Sequence, residues 1–320
     1  MAERGFAVVH VTTTGVFPGA ENRIVEIAIV QLSPQGRVQQ RWSHALIADS
    51  FRDLAPHIAQ LVAGRALVAH NASFVVPVVM AQLTHANLIA NTEPVTWCTM
   101  QLALDLFPSA GRSLQQCVVA AGMRTPSLAT AEAAADATAR LFGVCIEVIG
   151  EPEFWNHGLD AATDLTWRTA PGVSGDTTTS APSQPQELRG ITGAVNSSTP
   201  FLVSAIERMP RYRGPREHLD YLDLIDRTLR AGDCSTTASE NLIRAAERLG
   251  IGRFLCESIN RDYFAELVNC VDVAGGMTPS DIADLVSVGH VLDLPSSVIS
   301  ATLRPLSDDA EHNLHRRLAG

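Results

Sequence analysis

Two β-branched, apolar runs separated by a short loop set the frame of this chain. The first is Phe6-Ala7-Val8-Val9-His10-Val11, running into Thr12-Thr13-Thr14-Gly15; the second occupies residues 23–32 and reads RIVEIAIVQL. Turn residues bound both runs (Gly15, Pro18-Gly19, Pro34-Gln35-Gly36), so they read as strands, with 38–47 as a third. Segments this short cannot be separated by helical crossovers, so the three strands are antiparallel. Helical spacing follows over 50–62 (Leu54, Ile58, Leu61), then a buried strand at 66–69 and a helix over 73–88 that tolerates Pro77. Two further helical patterns cover 113–121 and 131–149. Strands first, then alternating helix and strand, predict an α/β domain with a mixed sheet and flanking helices.

The composition supports packed cores and, at 320 residues, more than one domain: 46% of residues are hydrophobic and mean hydropathy is +0.10. No run approaches the roughly 18–20 uncharged apolar residues of a membrane helix, and Met-Ala-Glu-Arg-Gly lacks the order of a signal peptide. A cytoplasmic protein with no membrane partner is expected. The six cysteines are scattered without a CxxC pair or zinc-ligand spacing, so they read as small buried apolar residues and no metal is expected on them. All 24 basic residues are arginine, nine against ten acids over 1–150 and fifteen against twenty-four over 151–320. The acidic second part weighs against a broad phosphate-binding surface.

Several short blocks recur in a fixed order over 6–149: Ile24-Val25-Glu26-Ile27-Ala28, Val68-Ala69-His70-Asn71-Ala72 with Phe74, Cys98-Thr99-Met100, Arg112-Ser113-Leu114 and Asp136-Ala137. In these blocks the chain resembles the DEDDh family of 3′ to 5′ exonucleases, which includes the epsilon subunit of DNA polymerase III. The resemblance implies a ribonuclease H-like exonuclease fold. It also implies a site in which carboxylates from several elements hold two divalent ions and a histidine acts as general base. Carried over residue by residue, the family's first-strand Asp and Glu fall on His10 and Thr12, its Asp after Phe on Val75, its catalytic His on Ala131, and its last Asp on Asp136. Four of these five positions are replaced. No catalytic residue, no metal site and no cofactor is therefore expected, and the residues mark a vestigial centre.

A cleft stripped of carboxylates no longer repels phosphate and no longer needs a metal to neutralise it. Thr12, Thr13, Thr14 and the backbone of Gly15 are then candidate donors to a single-stranded nucleic acid or a 3′ end, with His10 adding charge below its pKa. The bland alternative is a remnant that binds nothing. A rival reading keeps an active Mg- or Mn-dependent exonuclease with rewired ligands, drawn from Glu21, Glu26 or Asp53, or from His10 with Asp136 around a softer ion.

Residues 169–198 are rich in Ser, Thr, Pro and Gly and read as a flexible tether. The expected boundaries are an exonuclease-like domain over 1–155, a linker over 156–199, a small all-α domain over 200–305 and a tail over 306–320. After an amphipathic helix at 200–210, Arg211 and Arg213 flank Tyr212, an arrangement that can hold single strands by charge and stacking or simply connect elements. The helical part repeats itself: Leu224, Leu242 and Leu249 recur 43 residues later as Leu267, Leu285 and Leu292, which implies two helical hairpins. Gly232-Asp233-Cys234-Ser235 matches Gly275-Gly276-Met277-Thr278, and Thr278 is followed by Pro279 and Asp281, a helix-start signal. This half resembles TerB-like domains, and contact with a protein partner is its expected use. Together these readings predict a pseudo-exonuclease that binds or scaffolds in DNA replication or repair. A pure protein-interaction module stands as a further alternative.

Overall fold

The computed structural model describes residues 4–14, 23–46, 51–124, 127–169, 200–210, 212, 214–271 and 278–306. The chain divides into two compact units, Met1–Ile191 and Thr192–Gly320.

In the first unit β1 (Gly5–Thr13), β2 (Ile24–Leu32) and β3 (Val38–Ala45) precede α1 (Phe51–Val62), β4 (Arg65–Ala69) and α2 (Ala72–His85). Next come β5 (Leu88–Ala90), β6 (Thr96–Cys98), α3 (Thr99–Leu106), α4 (Leu114–Ala120), α5 (Ala131–Ile149), α6 (Pro152–Ala162) and β7 (Trp167–Thr169). The main sheet has the order β3-β2-β1-β4-β6. In it β2 is antiparallel to β1 and β3, while β4 runs parallel to both β1 and β6. The fold is ribonuclease H-like. Alternation along β1 explains how both sheet faces are covered. Ala7, Val9 and Val11 join Ile27 and Ile29 beneath α1 and α2, whereas Phe6 and Val8 join Ala28, Val30 and Leu32 beneath α5 and α6. Phe6 is fully buried, its ring edge-on to Phe142 at 4.8 Å and to Trp155 at 6.0 Å. A fully buried side chain of this size contributes roughly 1.5–3 kcal/mol, so the central strands, buried on both sides, hold the unit together.

Two expectations need correction. The helix expected over 73–88 stops at His85, because Asn87 takes a left-handed φ of 64° and Leu88 opens β5. Residues 156–169, expected to open the linker, are folded: Trp155, Leu159 and Ala162 carry α6 into the core, and β7 pairs antiparallel with β5. The remainder of the expected linker, 170–199, lies outside the described residues.

The described residues of the second unit are mainly helical. The elements are α7 (Pro200–Arg208), a 3-10 turn at Arg216–His218, α8 (Leu219–Arg230), α9 (Thr236–Arg248), α10 (Arg253–Asn269), α11 (Pro279–Val291) and a helical stretch at 296–306. The 43-residue repeat superposes α9 on α11 end to end and the start of α10 on residue 296. Helices α9 and α11, the second of each copy, end alike. Gly250 and Asp293 are left-handed (φ 74° and 54°), and the amides of Ile251 and Leu294 donate back to the carbonyls of Ala246 and Gly289. Ser235 and Thr278 cap the starts, the latter in a capping box with Asp281. The expected hairpins differ in one respect. Leu249 is 37% exposed while its counterpart Leu292 is buried. In the second copy Asn260 of α10 donates to the Leu292 carbonyl at 2.9 Å, but the residue 43 earlier is the exposed Glu217 in the 3-10 turn. The helix that would cover Leu249 is two turns short.

Candidate functional site

Three of the five blocks that carry the resemblance meet at one histidine. His70, in the turn between β4 and α2, places Nδ1 3.0 Å from Thr99 Oγ1 and Nε2 2.9 Å from the Arg112 carbonyl. A carbonyl only accepts, so Nε2 carries a proton, while the Thr99 hydroxyl can either donate to Nδ1 or accept from it. Asn71 beside it is left-handed (φ 59°) and caps α2 by accepting from the Phe74 amide. Ser113 closes a capping box with Gln116 at the start of α4. Three separated sequence blocks therefore form one hydrogen-bonded frame at the carboxyl edge of β4.

Around that frame, Thr12 and the Ala131 amide share one partner, Glu26 Oε2, and His10 lies near His70, while Val75 sits in a separate core. By strand alternation His10 belongs to the sheet face that carries α5. Its ring is half-buried, Nδ1 is sealed from solvent without a hydrogen-bond partner, and burial, then the neighbouring His70, push its pKa down to about 4. His10 is thus uncharged at neutral pH and does not supply the charge expected of it. Thr12 is exposed and donates a long bond of 3.5 Å to Glu26 Oε2 across the β1–β2 pair. The same oxygen accepts the Ala131 amide at 3.0 Å, so Glu26 caps the start of α5 together with Thr130, where a carboxylate meets the positive end of the helix.

Val75 is 4% exposed in the core under α1 and α2, and Ala131 is 3% exposed in the core under α5. The two replaced positions have been absorbed by cores on opposite faces of the sheet. Asp136 accepts from Arg41 Nε on β3 at 2.8 Å in a part-exposed ion pair. Hard divalent ions need several converging carboxylates, and the five positions here hold two alkyl side chains, a hydroxyl, an uncharged imidazole and one carboxylate engaged by arginine. These residues do not fit a two-metal centre. Among the described residues no group of three His, Cys, Asp or Glu side chains comes together to hold a metal.

The other expected contact residues are dispersed. Thr13 sits half-buried at the end of β1, opposite Ile24. Thr14 locks the base of the β1–β2 loop: its amide donates to the Arg23 carbonyl at 2.9 Å and its Oγ1 accepts the Arg23 amide at 3.1 Å. Gly15, Arg211 and Arg213 lie outside the described residues, as does Glu21. Tyr212 spends its hydroxyl on His218 Nδ1 at 2.5 Å. Asp53 is exposed in the first turn of α1. Sequence reading did not find the partners that hold the acids, Arg41 for Asp136 and the α5 amide for Glu26. The clue for the second was Thr130, a cap residue one position before the helix.

No family model matches the chain, and no curated protein matches it. Solved structures do. An exonuclease I structure described as suggesting how processivity is achieved aligns at 13% identity and TM-score 0.41, over 52% of this chain and 51% of that one. Exonuclease X in complex with 5′ overhanging duplex DNA aligns at 22% identity and TM-score 0.36, over 48% of this chain and 99% of that one. The zinc-bound form of the E. coli exonuclease I complex with single-stranded DNA aligns at 13% identity and TM-score 0.39, over 50% and 45%. This chain spans about half the length of these two exonuclease I chains, and the fold rests on the strand order described above.

Proposed function

We propose that this protein is a pseudo-exonuclease: its first unit binds single-stranded nucleic acid or a 3′ end without hydrolysing it and without a metal cofactor. The observation that carries the reading is the fate of the ligand positions. Val75 and Ala131 are core residues on opposite faces of the sheet, and Asp136 is committed to Arg41. The second unit, with its 43-residue helical repeat, is read as a TerB-like domain that contacts a protein partner in replication or repair. A cytoplasmic setting is part of the same reading, and among the described residues no helix is long and apolar enough to cross a membrane.

The test is to incubate the full chain with end-labelled single-stranded DNA and RNA, in Mg²⁺ or Mn²⁺ and in EDTA, scoring both retention and shortening. Retention without shortening, equal in EDTA and in metal, is expected. Metal-dependent release of nucleotides that Asp136→Ala abolishes would establish the rival, an active exonuclease. Absence of both signals removes the nucleic-acid role and leaves the protein-interaction one.

A further inference from the structure

A cavity of about 570 Å³ opens at the far end of α2 from Val75, where β2 begins and β3 ends, and the described residues lining it include no carboxylate. Ile24 and Phe51, both buried, and Leu46 form its apolar floor. Arg23, Arg52 and His85 stand exposed around the rim, with Gln82 beside them. In a chain of net charge −10, this collection of cationic and imidazole groups is out of keeping with the average surface. The groups are also held in place. Thr14 fixes the backbone of Arg23 from both sides, and Arg52 Nη2 donates to the His85 carbonyl at 3.4 Å, so α1 and α2 share one edge of the cavity. Neither arginine pairs with a carboxylate among the described residues. The amino end of α1, at Phe51 and Arg52, adds the positive end of a 12-residue helix.

Resting on the reading that the first unit binds nucleic acid without cutting it, we infer that this cleft is where it does so: the arginines take the phosphate of a nucleotide unit and the apolar floor takes its base or sugar. The cavity lies within the roughly 300–1,000 Å³ of small-ligand clefts. Guanidinium groups match phosphate oxygens in planar, bidentate fashion, which an isolated ammonium does not. The floor distinguishes the ligand from inorganic phosphate, which needs no apolar contact, and from an acidic peptide, whose carboxylates carry no flat apolar body. Thr14 still has its hydroxyl proton to donate at the mouth of the cavity, since its oxygen accepts from Arg23.

The experiment measures fluorescence anisotropy of labelled dT12 with the full chain at low and moderate salt, in EDTA. The variants are Arg23→Ala, Arg52→Ala, the double variant and, as a charge-matched control, Arg124→Ala at an exposed position outside the cavity. Thermal midpoints check folding. Each single variant is expected to weaken binding about tenfold and to reduce the log–log salt slope by about one, with Arg124→Ala within about twofold of wild type. Arg52→Lys keeps the charge and is expected to restore only part of the loss. Competition by dTMP that depends on the same arginines supports the site and shows that one nucleotide unit suffices. Wild-type binding that persists in the double variant overturns the site while leaving the non-cleaving reading intact. Wild type that binds no oligonucleotide sinks both, and polyglutamate competing as well as DNA at equal charge reduces the cleft to a general anion patch and overturns the nucleotide assignment.

Discussion

At the scale of single residues, Val75 and Ala131, where the resemblance would set catalytic groups, belong to packed cores. Val75→Asp places a carboxylate in an apolar core with nothing to pair it, at a cost of about 3 kcal/mol or more. Ala131→His forces an imidazole between α5 and the sheet, at about 1–3 kcal/mol. Thr12→Glu sets a second acid across the strand pair from Glu26. The variant combining these with His10→Asp is therefore expected to melt well below wild type rather than to regain Mg²⁺-dependent cleavage; a stable, cleaving variant would show that the cores yield more easily than their burial implies. His10 makes a prediction in pH. Its folded pKa of about 4 lies below the unfolded value near 6.5, so the unfolded state binds more protons between these limits and stability falls as pH drops through that window. His10→Leu removes the titrating group, and its urea midpoint is expected to fall less between pH 7 and pH 4.5 than that of wild type. Identical acid limbs would mean that the ring is solvated when folded. Sequence reading put His10 on the first strand but could not give its charge state, because its burial and the nearness of His70 are properties of packing.

At the scale of elements, Glu26 joins β2 to the start of α5, and Glu26→Gln removes the charge while keeping the shape. It is expected to cost about 1 kcal/mol and to speed hydrogen exchange at the Ala131 amide. Unchanged exchange there would show that Thr130 alone holds the helix start. The strands β1, β2 and β4 were legible because β-branched runs and turn residues mark them, and α5 because it runs 19 residues with a cap at Thr130. The strands β5, β6 and β7 were not, since three residues carry no alternation to read. The α6 helix was missed although Trp155, Leu159 and Ala162 have helical spacing, because the Ser/Thr/Pro-rich stretch that follows drew the boundary too early. In the second unit the leucine repeat was legible from spacing alone, but the exposure of Leu249 was not. That depends on how far α10 extends beyond the length of its counterpart α8.

At the scale of the whole molecule, a ribonuclease H-like unit and a helical repeat unit share one acidic chain, and cationic groups collect at a cleft at the opposite end of α2 from Val75. The blocks at His70, Thr99 and Arg112 form one hydrogen-bonded frame, while Asp136 pairs with Arg41 and Glu26 caps α5. The arginine cleft escaped the sequence because Arg23, Arg52 and His85 are spread over 63 positions and meet only when α1 and α2 pack on the sheet. The measurement that tests the central claim most directly is a Mn²⁺ titration of the full chain followed by the loss of the free-ion EPR signal, without nucleic acid and at metal concentrations near the protein concentration. The account predicts that the free Mn²⁺ signal stays undiminished, equally in wild type and in Asp136→Asn. Binding of about two Mn²⁺ per chain that Asp136→Asn abolishes would contradict it and restore the two-metal exonuclease.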